Sequence, residues 1–337
     1  MSLGPEQRSR LLRAKLEALV RDDLGLVGQA FESGASAAMV VVDGTAAALL
    51  DDPAPAPFAG AILLAARRGL DRLVVYSDDR ADVLARWAGY FELGGGGVEV
   101  RGVEDGAAVV VAAAPLPAPP PAPDVDADLL ATLADAGVDV VVEQGVVRGE
   151  VLGLEVARLV RWPSEVGGDD ELHLEAGVGR FDRDAVAAAR PDDPPAESLS
   201  RAVERVREHR YPGAPVHPLQ VLARSRWLRA DVLADPARVG AAELVAADMT
   251  TEAEGLKDLH PAAAVGRRDD GTPIVVVCSS GVDLALVPLA ADTRALHDPD
   301  AQLVVVVPER DLHAATTTLL EHLVHPATAV GLVPGWG

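Results

Sequence analysis

The sequence predicts a mixed α/β protein, assembled from two or three modules in which a hairpin is followed by a strand, a helix and a strand. Three observations support this fold class. Hydrophobic residues make up 49% of the 337 residues but aromatic residues only 3%, so the core must be aliphatic. Short apolar runs alternate with amphipathic stretches of helical period. A proline-rich stretch at 114–124 is typical of a semi-rigid linker.

Residues 1–113 are predicted to form an N-terminal module. The Asp43-Gly44 pair lies between two apolar runs, at 39–42 and 46–50, and therefore predicts a hairpin. The remaining predicted elements are helices at 8–32, 58–68 and 81–91 and strands at 72–76, 98–103 and 107–113.

Residues 125–247 are predicted to form a middle module and 248–337 a C-terminal module. The middle module should contain a helix at 126–136, a strand at 138–142, a hairpin of 153–162 with 172–178, a helix at 183–190 and three helical segments within 198–247. The C-terminal module should begin with a loop at 248–272, followed by a strand at 274–278, a turn at 279–281, a return strand at 282–288, a strand at 303–307, a helix at 313–324 and a strand at 328–333.

The two terminal modules share their predicted order of elements, which indicates an internal repeat. Acidic residues follow the strands at the strand-to-helix junctions, at Asp78, Asp182 and Glu309. Such residues cap helices, and they also occur in sites at the carboxyl ends of strands in open α/β sheets. Both interpretations stay open at this point.

The overall charge is strongly acidic, at -22, and the chain has a single cysteine, Cys278. One cysteine excludes an internal disulfide and a multi-thiolate zinc site, as expected in a reducing compartment. No apolar run approaches the roughly 20 residues that span a bilayer, and no signal peptide is evident. The sequence therefore predicts a cytoplasmic protein without membrane contact, for which a homo-oligomer is possible.

Carboxylates are concentrated in the middle module, where Glu143 and Glu150 precede the hairpin. Glu155 and Glu175 lie inside its two strands and Asp182 follows them. Like charges across a hairpin repel, so if the hairpin register brings Glu155 near Glu175, a cation should lie between them. Mg²⁺ or Mn²⁺ would make Glu155, Glu175 and Asp182 metal ligands and catalytic residues. The alternative is an arginine, Arg158 or Arg180, on a solvated face of the sheet.

A local basic stretch interrupts this acidity between 201 and 229. Among its arginines, Arg205, Arg224, Arg226 and Arg229 are candidates for binding phosphate or another anion, since the guanidinium fork suits such groups. The alternative is that these arginines neutralise acidic residues of the same chain.

The C-terminal block resembles the restriction-endonuclease-like superfamily in its predicted order of hairpin, strand, helix and strand. Members of that superfamily hold a metal with an Asp on one strand and an acid-x-Lys motif on the next. Asp283 matches the first acid, but Val307 stands where the second acid belongs and Glu309 where the lysine belongs. Such a block implies a non-catalytic copy of that fold.

The other two blocks match that superfamily's motif less well. In the middle module, Glu175-Ala176-Gly177 occupies the place of the acid-x-Lys motif without a lysine, and Asp43 is the only candidate acid in the N-terminal block. A Rossmann-like fold is the alternative architecture, although the GxGxxG motif that marks dinucleotide binding does not follow any predicted strand. The composition also resembles that of proteins from high-GC actinobacteria, which implies no activity.

Two functional hypotheses follow from these patterns. The first is a nuclease-like protein that binds nucleic acid or a phosphorylated ligand through its arginines and hydrolyses phosphodiesters with a divalent metal. The second is a non-catalytic interaction or scaffold protein made of degenerate α/β modules. No Walker loop, GxSxG or HExxH motif is present to favour a different enzyme class.

Overall fold

The computed structural model describes residues 4–32, 36–162, 171–180, 182–184, 193–252, 255 and 260–336. The helices are α1 (Pro5–Leu24), α2 (Pro55–Arg67), α3 (Ala81–Ala88), α4 (Ala127–Asp135), α5 (Pro195–Arg207), α6 (Arg224–Ala234), α7 (Leu286–His297) and α8 (Ala314–Glu321). The strands are β1 (Phe31–Glu32), β2 (Ala37–Val42), β3 (Thr45–Leu50), β4 (Arg72–Ser77), β5 (Gly97–Glu104), β6 (Ala107–Val110), β7 (Asp139–Glu143), β8 (Val146–Val151), β9 (Leu154–Trp162), β10 (Glu171–Ala176), β11 (Glu243–Ala247), β12 (Ala262–Arg267), β13 (Pro273–Cys278), β14 (Gln302–Pro308) and β15 (Ala327–Leu332). These elements confirm the predicted mixed α/β fold class.

The chain forms two compact units, and each is made of several segments. The first unit comprises Met1–Leu116, Val282–Ala295 and Leu312–Ala329. The second comprises Pro117–Gly281, Leu296–Asp311 and Val330–Gly337. The predicted division at the proline-rich stretch stays a prediction, although 114–124 contains neither helix nor strand.

The first unit contains a six-stranded sheet of order β1-β2-β3-β4-β5-β6. Its hairpin β2–β3 is confirmed, with Asp43 and Gly44 at φ 49° and 77°. Both torsions are positive, as a two-residue turn that matches the strand twist requires. Strands β3, β4 and β5 are parallel, and β6 returns antiparallel to β5. Helix α1 packs Leu16, Leu19 and Val20 against this sheet.

A buried carboxylate fixes α3 in the first unit. Asp292 on α7 accepts hydrogen bonds from Arg86 Nε at 2.9 Å, Trp87 Nε1 at 2.7 Å and the Tyr90 hydroxyl at 2.9 Å. Arg86 and Trp87 lie on α3, and Tyr90 follows directly after it. Arg86 Nη2 also donates to this carboxylate, at 3.0 Å. Four donors therefore orient the buried carboxylate, and the guanidinium group neutralises its charge.

The second unit begins with an antiparallel sheet of order β10-β9-β8-β7. Helices α4 and α5 cover it, and Leu133, Leu199 and Val203 pack against Val156 and Leu159 of β9. The predicted pairing of β9 with β10 is confirmed, while the connection between them and most of the predicted helix at 183–190 lie outside the described residues. Strand β8 was not predicted, since its run VVRGEV carries two charged residues and a glycine.

A five-stranded sheet of order β11-β12-β13-β14-β15 follows, and its strands β11 to β14 belong to the second unit. Helix α6 packs Trp227 and Leu228 onto it, together with Val276 of β13 and Val304 of β14. Strands β12 and β13 are antiparallel, whereas β13 and β14 are parallel.

Three predicted elements of this region are wrong. The segment 282–288 is not a return strand, because β13 and β14 are parallel and α7 begins at Leu286 in the crossover between them. The predicted loop at 248–272 contains β12, and residues 243–247 form β11 instead of part of a helix. Alanine-rich apolar runs fit a buried strand and a buried helix equally well, so periodicity alone does not distinguish them.

With β12–β13 as the hairpin, the two large sheets share one order of elements. Helix, three strands, helix, strand, helix and strand run from α1 to β5, and the same order runs from α6 to β15. Within the described residues, no helix is both long and apolar enough to cross a membrane.

Candidate functional site: a buried charge network

All the carboxylates and arginines predicted as site residues lie in the second unit, on the four-stranded sheet, after β10 and on helices α5 and α6. Glu155 is on β9, Glu175 on β10, and Asp182 follows β10. Arg224, Arg226 and Arg229 are on α6, whereas Arg205 is on α5.

Glu155 is enclosed by arginines. The residue is 2% exposed. Arg158 donates to both of its carboxylate oxygens at 2.9 Å, Arg183 Nη1 donates at 2.6 Å, and Arg148 Nε lies at 3.1 Å. Burial by itself raises the pKa of Glu155, but these guanidinium groups outweigh burial and hold that pKa below its ordinary value. Glu155 is therefore ionised at neutral pH, and its oxygens are engaged by arginines.

The cation between Glu155 and Glu175 is an arginine, which was the predicted alternative to a metal ion. The arginine is Arg183, whose Nε is 3.5 Å from Glu175, whereas the sequence indicated Arg158 or Arg180. Arg158 is paired opposite Glu175 in the β9–β10 register. Arg180 lies 3.7 Å from Asp184 instead.

Asp182 does not join Glu155 and Glu175 around a common position. Its Oδ2 accepts the main-chain N–H of Val178 at 2.8 Å, and its Oδ1 accepts from Arg205 Nη1 at 3.2 Å. These contacts tie the segment after β10 to Val178 and to α5. They give Asp182 a structural role, although it does not cap a helix in the usual way.

A second half of the network joins the sheet to α6. Arg229, 1% exposed, donates to Glu143 and, at 2.9 Å, to Glu150. Arg226 Nη2 lies 2.9 Å from Glu143, and its Nη1 lies 3.8 Å from Glu150. Arg148 Nη1 donates to Glu143 at 3.0 Å and thereby links the two halves.

The two buried carboxylates of this half differ in their pKa shifts. Burial raises the pKa of Glu143, yet the charges of Arg229, Arg226 and Arg148 outweigh it and lower that pKa. For Glu150 burial is the larger effect, so its pKa is raised despite Arg229 and Arg226. Its Oε1 also has no hydrogen-bond partner within the part of the chain that the structure describes.

The register of the sheet explains why the network needs helix arginines. On β8 and β9, Glu150 lies opposite Glu155 and Arg148 opposite Arg158, so like charges face each other across the strands. Such pairs destabilise a sheet unless opposite charges intervene. Arg226 and Arg229 of α6 supply part of that compensation. With Glu175 and Glu252 included, the network contains five glutamates and five arginines.

The arrangement holds its charges in place instead of presenting them to a ligand. Within the described ranges, no group of three or more His, Cys, Asp or Glu side chains is placed to hold a metal ion. A small cleft borders the network and includes Arg148 and Arg226 in its lining, and both are already paired. Arg148 and Arg183 were not among the predicted site residues, because a single arginine in a strand or turn gives no signal of its partners.

The predicted anion-binding arginines separate into two groups. Arg205, Arg226 and Arg229 contact carboxylates of the same unit. Arg224 makes no ion pair with any described residue. Its Nε donates to the Gln220 carbonyl at 3.2 Å, and its guanidinium lies 5.7 Å from the centre of the Trp336 ring.

Comparison of the chain with protein-family models, with curated proteins and with solved structures finds no match. Its function has to be inferred from the contacts of its own side chains.

Proposed function

We propose that this chain is a non-catalytic interaction protein, in which the charge network of the second unit stabilises the fold and does not perform chemistry. The observation that carries the proposal is the environment of Glu155. This buried carboxylate accepts three hydrogen bonds from two arginines and lies 3.1 Å from a third, so its oxygens are engaged by the protein instead of a substrate or metal.

Metal-assisted phosphodiester hydrolysis is the other candidate function, and it requires carboxylates that are free to bind a divalent metal ion. Mg²⁺ binds one or two carboxylates and keeps water and phosphate oxygens in its remaining positions. Glu155 is buried among guanidinium groups, which repel a divalent cation. Asp182 is engaged by a main-chain N–H and by Arg205. The restriction-endonuclease resemblance stays a prediction, and Asp283 caps the N–H of Ala285 at 2.9 Å in the loop before α7.

Nucleic-acid binding through the basic stretch is weakened by the same ion pairs. A phosphate backbone is bound by arginines that can exchange counterions for phosphates. Three of the four candidate arginines are already neutralised by carboxylates of the same unit.

Calorimetric titration with Mg²⁺ and with Mn²⁺ separates the two candidates. The wild-type protein should give no saturable heat, and it should not hydrolyse single- or double-stranded DNA or RNA in the presence of either ion. Glu175→Ala tests the one predicted carboxylate that is about a third exposed. Glu171→Ala is the matched control, since Glu171 lies on the same strand. Saturable metal binding that is lost in Glu175→Ala and kept in Glu171→Ala would overturn the proposal.

Electrophoretic mobility shifts at low salt test the nucleic-acid interpretation separately. We expect no shift of short DNA or RNA duplexes. A shift at low salt that disappears in Arg205→Ala, with unchanged circular dichroism, would favour the nuclease-like alternative. Light scattering of the same sample measures whether the chain is a homo-oligomer.

A further inference from the structure

The carboxyl ends of β13 and β14 lie together at one edge of the five-stranded sheet. The two strands are parallel neighbours, and Cys278 is paired with Val306 near their ends. Ser279-Ser280-Gly281 follows β13, and the short helical turn Glu309–Asp311 follows β14. In open sheets with parallel strands, ligands bind beyond the carboxyl ends of the strands.

Two serine hydroxyls at this edge have no hydrogen-bond partner among the described residues. Ser279 is 0% and Ser280 4% exposed, and the Oγ of each is unpartnered. Their main chain, by contrast, is fixed: the N–H of Ser279 donates to Val306 at 2.9 Å and the N–H of Ser280 to Ser225 Oγ at 3.3 Å. Because buried polar groups are nearly always satisfied in native proteins, two adjacent exceptions call for a missing partner.

The contact with Ser225 places these hydroxyls beside the first turn of α6. Helix α6 has 11 residues, and its N-cap residue, Ala223, provides no side-chain hydrogen bond to the free N–H groups. Such a helix end carries partial positive charge and binds anions.

Two arginines lie in the same neighbourhood. Arg224 is the first residue of α6, and Arg310 is in the turn after β14. Burial and the charge of Arg310 both lower the pKa of Arg224, while Asp311 raises it. Asp311 accepts the N–H of Gly281 at 2.8 Å and lies 3.8 Å from Arg310.

Neither arginine forms a hydrogen bond with a carboxylate of the described residues. The contact of Arg310 with Asp311 is too long for a hydrogen bond. Glu309, exposed in the same turn, forms no ion pair with either arginine within the described residues.

At the corresponding edge of the first sheet, the acids form ion pairs with α1. Asp51, after β3, pairs with Arg8 of α1, and Asp78, after β4, pairs with Lys15 of the same helix. In the second sheet Ser279 follows β13 and Glu309 follows β14. The order of elements is the same, but among the described residues neither Glu309 nor another acid forms an ion pair with Arg224 of α6.

We propose that this edge is a binding site for a phosphate group, contacted by Arg224 and Arg310, by the hydroxyls of Ser279 and Ser280 and by the first turn of α6. A tetrahedral oxyanion accepts hydrogen bonds from several directions, and guanidinium forks bind it in a bidentate manner. The exposed Arg310 side chain has to turn toward the hydroxyls, which its long contact with Asp311 permits. This site goes beyond the proposed function and does not depend on it.

Thermal unfolding with inorganic phosphate tests the site, with sodium chloride at equal ionic strength as the reference. Phosphate at millimolar concentration should raise the unfolding temperature of the wild type in a saturable manner. The affinity should fall at least tenfold in Arg224→Met and in Arg310→Met. Arg207→Met is the matched control, because Arg207 is an exposed arginine of the same unit that donates only to a main-chain carbonyl. Its phosphate response should equal that of the wild type.

Ser280→Ala distinguishes a ligand contact from a structural role. Removing a buried hydroxyl that lacks a partner should leave the phosphate-free protein as stable as the wild type or more stable. The same variant should lose most of the response to phosphate. AMP in parallel with inorganic phosphate shows whether the ligand is a free ion or a phosphomonoester.

No saturable response in the wild type, or an equal loss of response in Arg207→Met, would overturn the site. So would a Ser280→Ala variant that is destabilised without phosphate and still responds to it.

Discussion

Arg229 on α6 provides the sharpest test of the charge network. The residue is 1% exposed and pairs with two buried carboxylates, Glu143 and Glu150. In Arg229→Met the side chain keeps most of its volume, but both carboxylates lose a partner. Arg226 remains 2.9 Å from Glu143, yet it lies 3.8 Å from Glu150, so Glu150 is left as the less compensated charge.

The expected loss follows from the cost of breaking a buried ion pair, which is about 3–5 kcal/mol. A loss of that size is a large part of the roughly 5–15 kcal/mol by which a typical domain is stable. Urea unfolding followed by circular dichroism measures it from the shift in midpoint at constant slope. Arg224→Met, on the same helix but without a carboxylate contact, should lose about 1 kcal/mol or less.

A second variant separates lost charge pairing from lost packing. Adding Glu150→Gln to Arg229→Met removes the uncompensated charge and should restore part of the stability. If Arg229→Met loses no more than Arg224→Met, or if Glu150→Gln brings no recovery, the network does not stabilise the second unit as argued.

Three further predictions concern acid stability, a tight turn and the cysteine. Burial raises the pKa of Glu155, but the surrounding arginines lower it by more. The stability that ionised Glu155 contributes to the fold is therefore present above the ordinary pKa of about 4.3 and is lost as the pH falls. Urea titrations from about pH 6 to pH 3 should therefore show a smaller acid-induced loss in Glu155→Gln than in the wild type. Gly153→Ala should cost several times the roughly 1 kcal/mol of Gly25→Ala. Both glycines have positive φ, but only at Gly153 would a Cβ lie 2.2 Å from a backbone carbon, that of Arg226; thermal unfolding of the two variants compares them. Burial raises the pKa of Cys278 to about 12, so a thiol reagent should label it only after denaturant is added.

The parts of the fold that could be predicted are those with strong local chemistry. Asp43-Gly44 predicted its hairpin, because few other residue pairs adopt two positive φ values without strain. The return strand at 282–288 was wrong for the opposite reason. GVDLALVP is a short apolar run without a period, and its conformation is decided by the crossover between two parallel strands.

The charge network shows a similar limit on reading a site from sequence. The sequence predicted a cation between Glu155 and Glu175 without the register of β9 and β10, in which Glu175 lies opposite Arg158. Arg183 occupies this position because of the path of the chain after β10. Arg229 contacts Glu143 and Glu150 because of the way α6 packs. Arg229 is 86 and 79 residues away from these two partners in the sequence, and no local sequence pattern predicts such long-range contacts.

The sequence likewise did not indicate the site at the carboxyl ends of β13 and β14. Ser279 and Ser280 read as an ordinary turn, since serines are common in turns. Their significance comes from burial without a hydrogen-bond partner among the described residues, beside the first turn of α6, where neither Arg224 nor Arg310 forms a hydrogen bond with a carboxylate. In the first sheet the corresponding acids Asp51 and Asp78 are paired with α1. The two sheets share one order of elements but differ at this edge, because the acids of the first sheet are paired with α1 whereas Ser279 and Ser280 have no hydrogen-bond partner among the described residues. We therefore infer the phosphate site from these unpartnered groups and not from the density of charge.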